Sequence, residues 1–106
     1  MNQITVEELH ERLNNNPDLH ILDVREEDEY NECNIGARLW SLSKLKQMDA
    51  DGLDDWKGKE IIVHCRSGQR SLQACMLLET MGFTQLTNLK GGIKEWLEKF
   101  GTERLA

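Results

Sequence analysis

Glu60-Ile61-Ile62-Val63-His64 runs directly into Cys65-Arg66-Ser67-Gly68-Gln69-Arg70 and then Ser71, and the fold is decided in this stretch. Residues 60–64 are rich in β-branched side chains, which suit a strand. Cys65 to Arg70 is polar, has a glycine inside, and reads as a loop. Ser71 to Met81 reads as a helix with Gly82 at its C-terminal side. Strand, short loop and helix in succession form the unit from which α/β proteins are built.

The neighbouring segments repeat the alternation. On the C-terminal side, Gln85 to Leu89 is a strand candidate. Gly91-Gly92 then turns into a last helix with Ile93, Trp96, Leu97 and Phe100 on one face. On the N-terminal side, Leu19 to Val24 is a short apolar run suited to a buried strand. Glu26 to Asn31 reads as a short helix, and Ile35 to Trp40 as a second short strand. Ser41 can cap a helix carrying Leu42, Leu45 and Met48 on one side. Asp49 to Gly58, dense in aspartate, reads as a loop. Thr5-Val6-Glu7-Glu8 has the form of a capping box opening a helix, with Val6, Leu9 and Leu13 on one face. Asn14-Asn15-Asn16-Pro17 ends that helix. These alternations predict an α/β fold with a central, mostly parallel sheet flanked by helices on both faces. Ligand sites in such folds lie beyond the C-terminal ends of the strands. Cys65 sits there, and Asp23 ends another strand on the same side.

The chain of 106 residues fits one domain, residues 1–106. No apolar run reaches the length of a membrane span. The N-terminus lacks the basic start and apolar stretch of a secretory signal. Three cysteines without a CxxC pair argue against a disulfide framework and for a reducing, cytoplasmic compartment. A net charge of −6 disfavours nucleic acid as a partner. The acidity is concentrated at the front: residues 1–32 hold ten acids and two arginines, and the remainder is mildly positive. The run Glu26-Glu27-Asp28-Glu29 reads as a solvated helix start, where carboxylates complement the dipole.

A lone cysteine after a strand would ordinarily be a small buried hydrophobe. Two arginines, two serines and a glycine within residues 65–71 point instead to an activated thiol. Backbone N–H groups of such a loop have no ladder partners and can form a nest for one anion. The following helix adds its positive end. Arg66 and Arg70 add charge, Ser67 and Ser71 add hydroxyl donors, and Gly68 allows positive φ. Each favours thiolate over thiol at Cys65.

Cys65-Arg66-Ser67-Gly68-Gln69-Arg70 resembles the CRxGxR loop of the rhodaneses, the thiosulfate and persulfide sulfurtransferases. Asp23-Val24-Arg25 with Glu29-Tyr30, and Asn88-Leu89-Lys90-Gly91-Gly92-Ile93 with Trp96, resemble further segments of that family in order and spacing. The resemblance implies a parallel sheet flanked by helices and a persulfide on Cys65. Sulfur would come from a small anionic donor such as thiosulfate. It would pass to cyanide in assays, or in cells to a thiol or an acceptor protein. The amides of residues 66–70, with Arg66, Ser67, Gly68, Gln69 and Arg70 around them, would bind the donor and the persulfide. Asp23, Arg25 and Ser71 would support the site, with Arg25 paired to Glu29. No metal or organic cofactor is implied, and neither nucleic acid nor membrane is a partner. The sequence departs from the family at Cys33-Asn34-Ile35-Gly36-Ala37, where many rhodaneses carry GHIPGA. Cys33 and Asn34 replace glycine and histidine, and the proline is absent. This segment is expected to form a turn that feeds a strand.

Other readings of the loop are a cysteine-dependent phosphatase or arsenate reductase, a persulfide carrier serving a protein, and a non-catalytic binding module. Four residues separate Cys65 from Arg70. Those phosphatases use five, and the shorter ring suits one added sulfur better than a tetrahedral oxyanion. A non-catalytic module would usually have lost the cysteine. His64 is expected to pack or hydrogen-bond rather than act as a base, since adjacent strand residues point to opposite faces. Cys75 and Trp96 read as core, Cys33 as a turn residue, and His10 and His20 have no partner at metal-ligand spacing.

Overall fold

The computed structural model describes residues 1–101; the last part of the expected domain, residues 102–106, lies outside the described residues. Five strands form one sheet in the order β1-β5-β4-β2-β3, with every pair parallel. The strands are β1 (Asn2–Ile4), β2 (Ile21–Asp23), β3 (Arg38–Leu39), β4 (Glu60–His64) and β5 (Gln85–Leu89). The helices are α1 (Val6–Asn15), α2 (Glu27–Glu32), α3 (Leu42–Lys46), α4 (Gln69–Thr80) and α5 (Gly92–Phe100). Among the described residues no helix is long and apolar enough to cross a membrane.

Parallel strands need crossovers, and these place helices on both faces. On one face, Leu22, Val24, Ile61, Val63 and Leu86 pack with Leu42 and Leu45 of α3 and with Ala74, Cys75 and Leu78 of α4. On the other, Ile21, Ile62 and Leu89 pack with Val6, Leu9 and Leu13 of α1 and with Ile93 and Trp96 of α5. Cys65 continues the alternation of Ile61 and Val63 and belongs to the α4 side. The centre of the sheet is apolar, and its C-terminal end carries the buried polar residues Asp23, His64 and Asn88.

The capping box at Thr5 is present, with Thr5 and Glu8 each accepting from the other's backbone N–H. The strands β4 and β5 have the bounds expected from the sequence. Elsewhere the fold differs from those expectations. Asn2–Ile4 pairs with Thr87 to Leu89 as an edge strand that a three-residue segment without alternation does not announce. Of Ile35 to Trp40 only Arg38–Leu39 pairs as a strand. Met48 is not on the buried face of α3. The helix ends at Lys46, and Met48 lies beyond it with φ of 59° and 59% exposure. Asp51–Trp56 is a 3-10 helix rather than a loop. Its Leu53 and Trp56 are three apart, which aligns them on one side of a three-residue turn, and both are buried. Finally, α4 begins at Gln69 and not at Ser71, so Gln69 and Arg70 occupy its first turn.

Candidate functional site

The site is built where β4 stops. Cys65 is 1% exposed, and its Sγ accepts the Gly68 N–H at 3.1 Å. Gly68 caps α4 with φ of 101°, the positive φ expected of it. The loop therefore returns on the sulfur within one turn, and the first turn of α4 follows. Sγ also lies 3.5 Å from the hydroxyl of Ser71, which is buried in that turn. Burial pushes the Cys65 thiol up, yet it lies below the ordinary thiol range. The Ser71 hydroxyl and the backbone amides of Ser71, Gly68 and Ser67 outweigh the burial. Of the groups expected to favour the thiolate, the main-chain amides are the ones that reach the sulfur, led by Gly68.

The outer side of the loop explains why those amides face inward. The Cys65 carbonyl accepts the Ile93 N–H at 2.9 Å, and the Arg66 carbonyl accepts the Lys94 N–H at 2.9 Å. These are first-turn donors of α5, which would otherwise lack partners. Carbonyls turned out to α5 leave the loop's N–H groups for the sulfur. Gly92 makes this approach possible: a Cβ there would stand 2.5 Å from the Cys65 oxygen and 2.6 Å from the Arg66 carbonyl carbon. This gives the Gly91-Gly92 pair a physical role.

Asn88 is a member of the site that sequence reasoning did not single out, although it stood in a quoted segment. Ser71 Oγ donates to Asn88 Oδ1 at 2.5 Å, and Asn88 Nδ2 donates to the Gly68 carbonyl at 3.3 Å. The signal was an asparagine inside an otherwise buried strand, where a polar side chain needs partners.

The arginines are arranged differently from expectation. Arg25 does not pair with Glu29. It is buried and folds back onto Asp23, with Nη2 2.8 Å from Oδ2 and Nε 3.0 Å from Oδ1, and Nη2 also donates to the Cys33 carbonyl at 2.7 Å. A fully buried carboxylate needs its counter-charge close by, and Arg25 is two residues away. Glu29 instead takes a two-pronged contact from Arg70 at 2.7 and 2.8 Å across the mouth of the site. That guanidinium pulls the Glu29 carboxyl down to about 2. Arg66, Ser67 and Gln69 are found at the rim, all three exposed. Beside them a cleft of about 280 Å³ is lined by Arg25, Glu29, Cys33, Arg66, Lys94 and Leu97, among others.

The turn after α2 is built as its changed residues allow. Asn34 Oδ1 accepts the Gly36 N–H at 2.9 Å, Asn34 Nδ2 donates to the Tyr30 carbonyl, and the Tyr30 hydroxyl donates to the Ala37 carbonyl at 2.6 Å. The segment feeds β3, as expected of it. Cys75 lies in the core, and burial pushes its thiol up to about 12. Trp96 is fully buried. Among the described residues no three His, Cys, Asp or Glu side chains are grouped to hold a metal ion.

Comparison with known proteins agrees with the fold. A family model described as Rhodanese-like domain matches residues 5–99. The chain is 32% identical over 96 residues to an Allochromatium vinosum protein named Sulfurtransferase, spanning 91% of this chain and 88% of that one. Among solved structures, a rhodanese-like domain protein from Staphylococcus aureus has a TM-score of 0.80 at 27% identity, covering 100% of this chain and 97% of that one. A human single-domain sulfurtransferase has a TM-score of 0.75 at 25% identity, covering 93% and 97%.

Proposed function

The chain belongs to the rhodanese-like family, and from that premise we propose that it moves a sulfane sulfur through a persulfide on Cys65. The thiolate attacks the outer sulfur of an anionic donor such as thiosulfate. The new S–S bond forms as the old one breaks, and sulfite leaves with the electron pair. The product is Cys65–S–S⁻. A nucleophilic acceptor, cyanide or a thiolate, then attacks the outer sulfur and regenerates the Cys65 thiolate. Electrons balance in each half-reaction without a cofactor.

The observation that carries this reading is the Cys65 sulfur at 3.1 Å from the Gly68 amide, at the start of α4. Those donors favour the thiolate before attack. They also favour the persulfide anion after it, since its charge falls one bond further into the same ring. Arg66, exposed at the rim, is assigned to attract the anionic donor. Arg70 is assigned to shape the mouth through Glu29. The loop has four residues between Cys65 and Arg70, which supports sulfur chemistry over phosphoryl or arsenate chemistry. Free thiols at Cys33, Cys65 and Cys75 fit the reducing compartment in which this chemistry would run.

Intact-mass measurement after thiosulfate treatment tests the proposal. A gain of one sulfur atom should map to Cys65, and cyanide or a dithiol should restore the original mass. No gain under saturating thiosulfate or any other sulfane donor would overturn it. A phosphorylated cysteine formed with an aryl phosphate would promote the phosphatase reading. Unloading by a protein thiol alone would redefine the protein as a persulfide carrier.

A further inference from the structure

His64 is fully buried, and both atoms faced by its ring nitrogens are acceptors. Nδ1 lies 3.2 Å from the Cys65 carbonyl oxygen. Nε2 lies 3.6 Å from Asp23 Oδ2 and has no hydrogen-bond partner. Asp23 is already satisfied, because both its oxygens accept from Arg25. Burial keeps the ring neutral, with the Arg25 charge adding to it against the pull of Asp23. A neutral imidazole has one proton, and the nearer acceptor takes it. The ring is therefore an Nδ1–H donor to the Cys65 carbonyl.

That same oxygen accepts the Ile93 N–H at 2.9 Å. Two donors of separate origin, a β4 side chain and the α5 backbone, thus hold one carbonyl. A peptide group is planar, so fixing its oxygen also fixes the N–H on the opposite edge. Here that N–H belongs to Arg66, the first amide of the loop. By strand alternation His64 points to the opposite sheet face from Cys65, so its influence passes through this peptide.

We propose that His64 is a positioning residue for the Cys65 thiolate: its Nδ1–H holds the Cys65–Arg66 peptide with the carbonyl outward, which sets the start of the loop whose Ser67 and Gly68 amides serve the sulfur. The role rests on Cys65 being the sulfur-carrying thiol. The charged groups facing the ring are Asp23 and Arg25, and Arg70 interacts with the thiolate from α4.

The test uses substitutions that separate the two ring nitrogens. An asparagine amide reaches the position of Nδ1, a glutamine amide that of Nε2, and leucine supplies neither. In the full chain carrying Cys33→Ser, the pH midpoint of Cys65 alkylation by iodoacetamide is read by peptide mass mapping. His64→Leu and His64→Gln should shift that midpoint upward by about 0.5–1 pH unit. His64→Asn should return it to the value of the parent. A parent-like midpoint in His64→Leu, or a glutamine variant closer to the parent than the asparagine variant, would overturn the proposal. If His64→Leu does not fold, the asparagine–glutamine order decides alone. The midpoint is measured without a sulfur donor, so it stands or falls separately from the persulfide reading.

Discussion

Replacing Gly92 by alanine should damage stability and chemistry together. The residue has φ of 58°, and its Cβ would stand 2.5 Å from the Cys65 oxygen and 2.6 Å from the Arg66 carbonyl carbon. Real Cβ atoms do not approach backbone so closely, so either the loop or the α5 N-terminus must move. The left-handed conformation alone costs about 1–2 kcal/mol for a residue with a Cβ. Gly58 isolates this part: its φ is 85°, a Cβ added there would meet nothing within 4 Å, and it precedes β4, at the end of the strand away from the site. Overpacking at Gly92 adds about 1–3 kcal/mol. Gly92→Ala should therefore melt at least about 4 °C below Gly58→Ala. The movement also breaks the Ile93 and Lys94 contacts that turn the loop carbonyls outward. Persulfide loading by thiosulfate at neutral pH should fall in Gly92→Ala and remain in Gly58→Ala. Melting curves by circular dichroism and loading by intact mass make the comparison. Equal melting temperatures, or wild-type loading in Gly92→Ala, would refute the claim that α5 holds the nest open from behind.

Cys65→Ser should gain no sulfur and show no thiosulfate:cyanide turnover, while Cys33→Ser and Cys75→Ala keep a substantial fraction; turnover in the first variant would remove the basis of the mechanism. Arg66→Ala should reduce the second-order rate constant with thiosulfate by about tenfold to a hundredfold and weaken its salt dependence; an unchanged constant would dissociate Arg66 from the donor. The Glu29–Arg70 pair gives a pH signature. Arg70 depresses the Glu29 carboxyl from 4.5 to about 2, so its stabilisation is present above pH 4.5 and is lost as pH falls toward 2. With side chains 35% and 29% exposed, the contribution is about 0–1 kcal/mol. Any advantage in melting temperature of wild type over Arg70→Ala at pH 6 should shrink by pH 2, and an advantage independent of pH would contradict the assignment.

The parts of the fold legible in the sequence were those with a repeating local signal. β4 was marked by its apolar, β-branched run, α1 by its capping box, and α5 by the spacing of Ile93, Trp96 and Leu97. Edge pairing carries no such signal: Asn2–Ile4 becomes a strand because Thr87 to Leu89 offers a free edge. Leu53 and Trp56 were hidden among aspartates, since a three-residue period is too short to stand out. At the candidate site, the Cys65 loop was read from its own residues. Its partners were not, because they arrive from distant elements. Sequence separation gave no reason to prefer Arg70 to Arg25 as the partner of Glu29, and nothing local tied Asn88 to Ser71. Burial decided the first: Asp23 is the carboxylate without access to water, and it claims the nearest guanidinium.

The backing of the loop by α5 also sets the order in which the site can be completed. Every strand pair is parallel, so no pairing can form as a local hairpin, and β1 joins β5 from opposite ends of the described chain. During synthesis, Cys65 emerges well before Gly92, Ile93 and Lys94. Until those residues dock, the carbonyls of Cys65 and Arg66 lack the α5 donors that hold them outward. The geometry of the loop is therefore complete only when the last helix seats, which ties the shape of the site to completed folding.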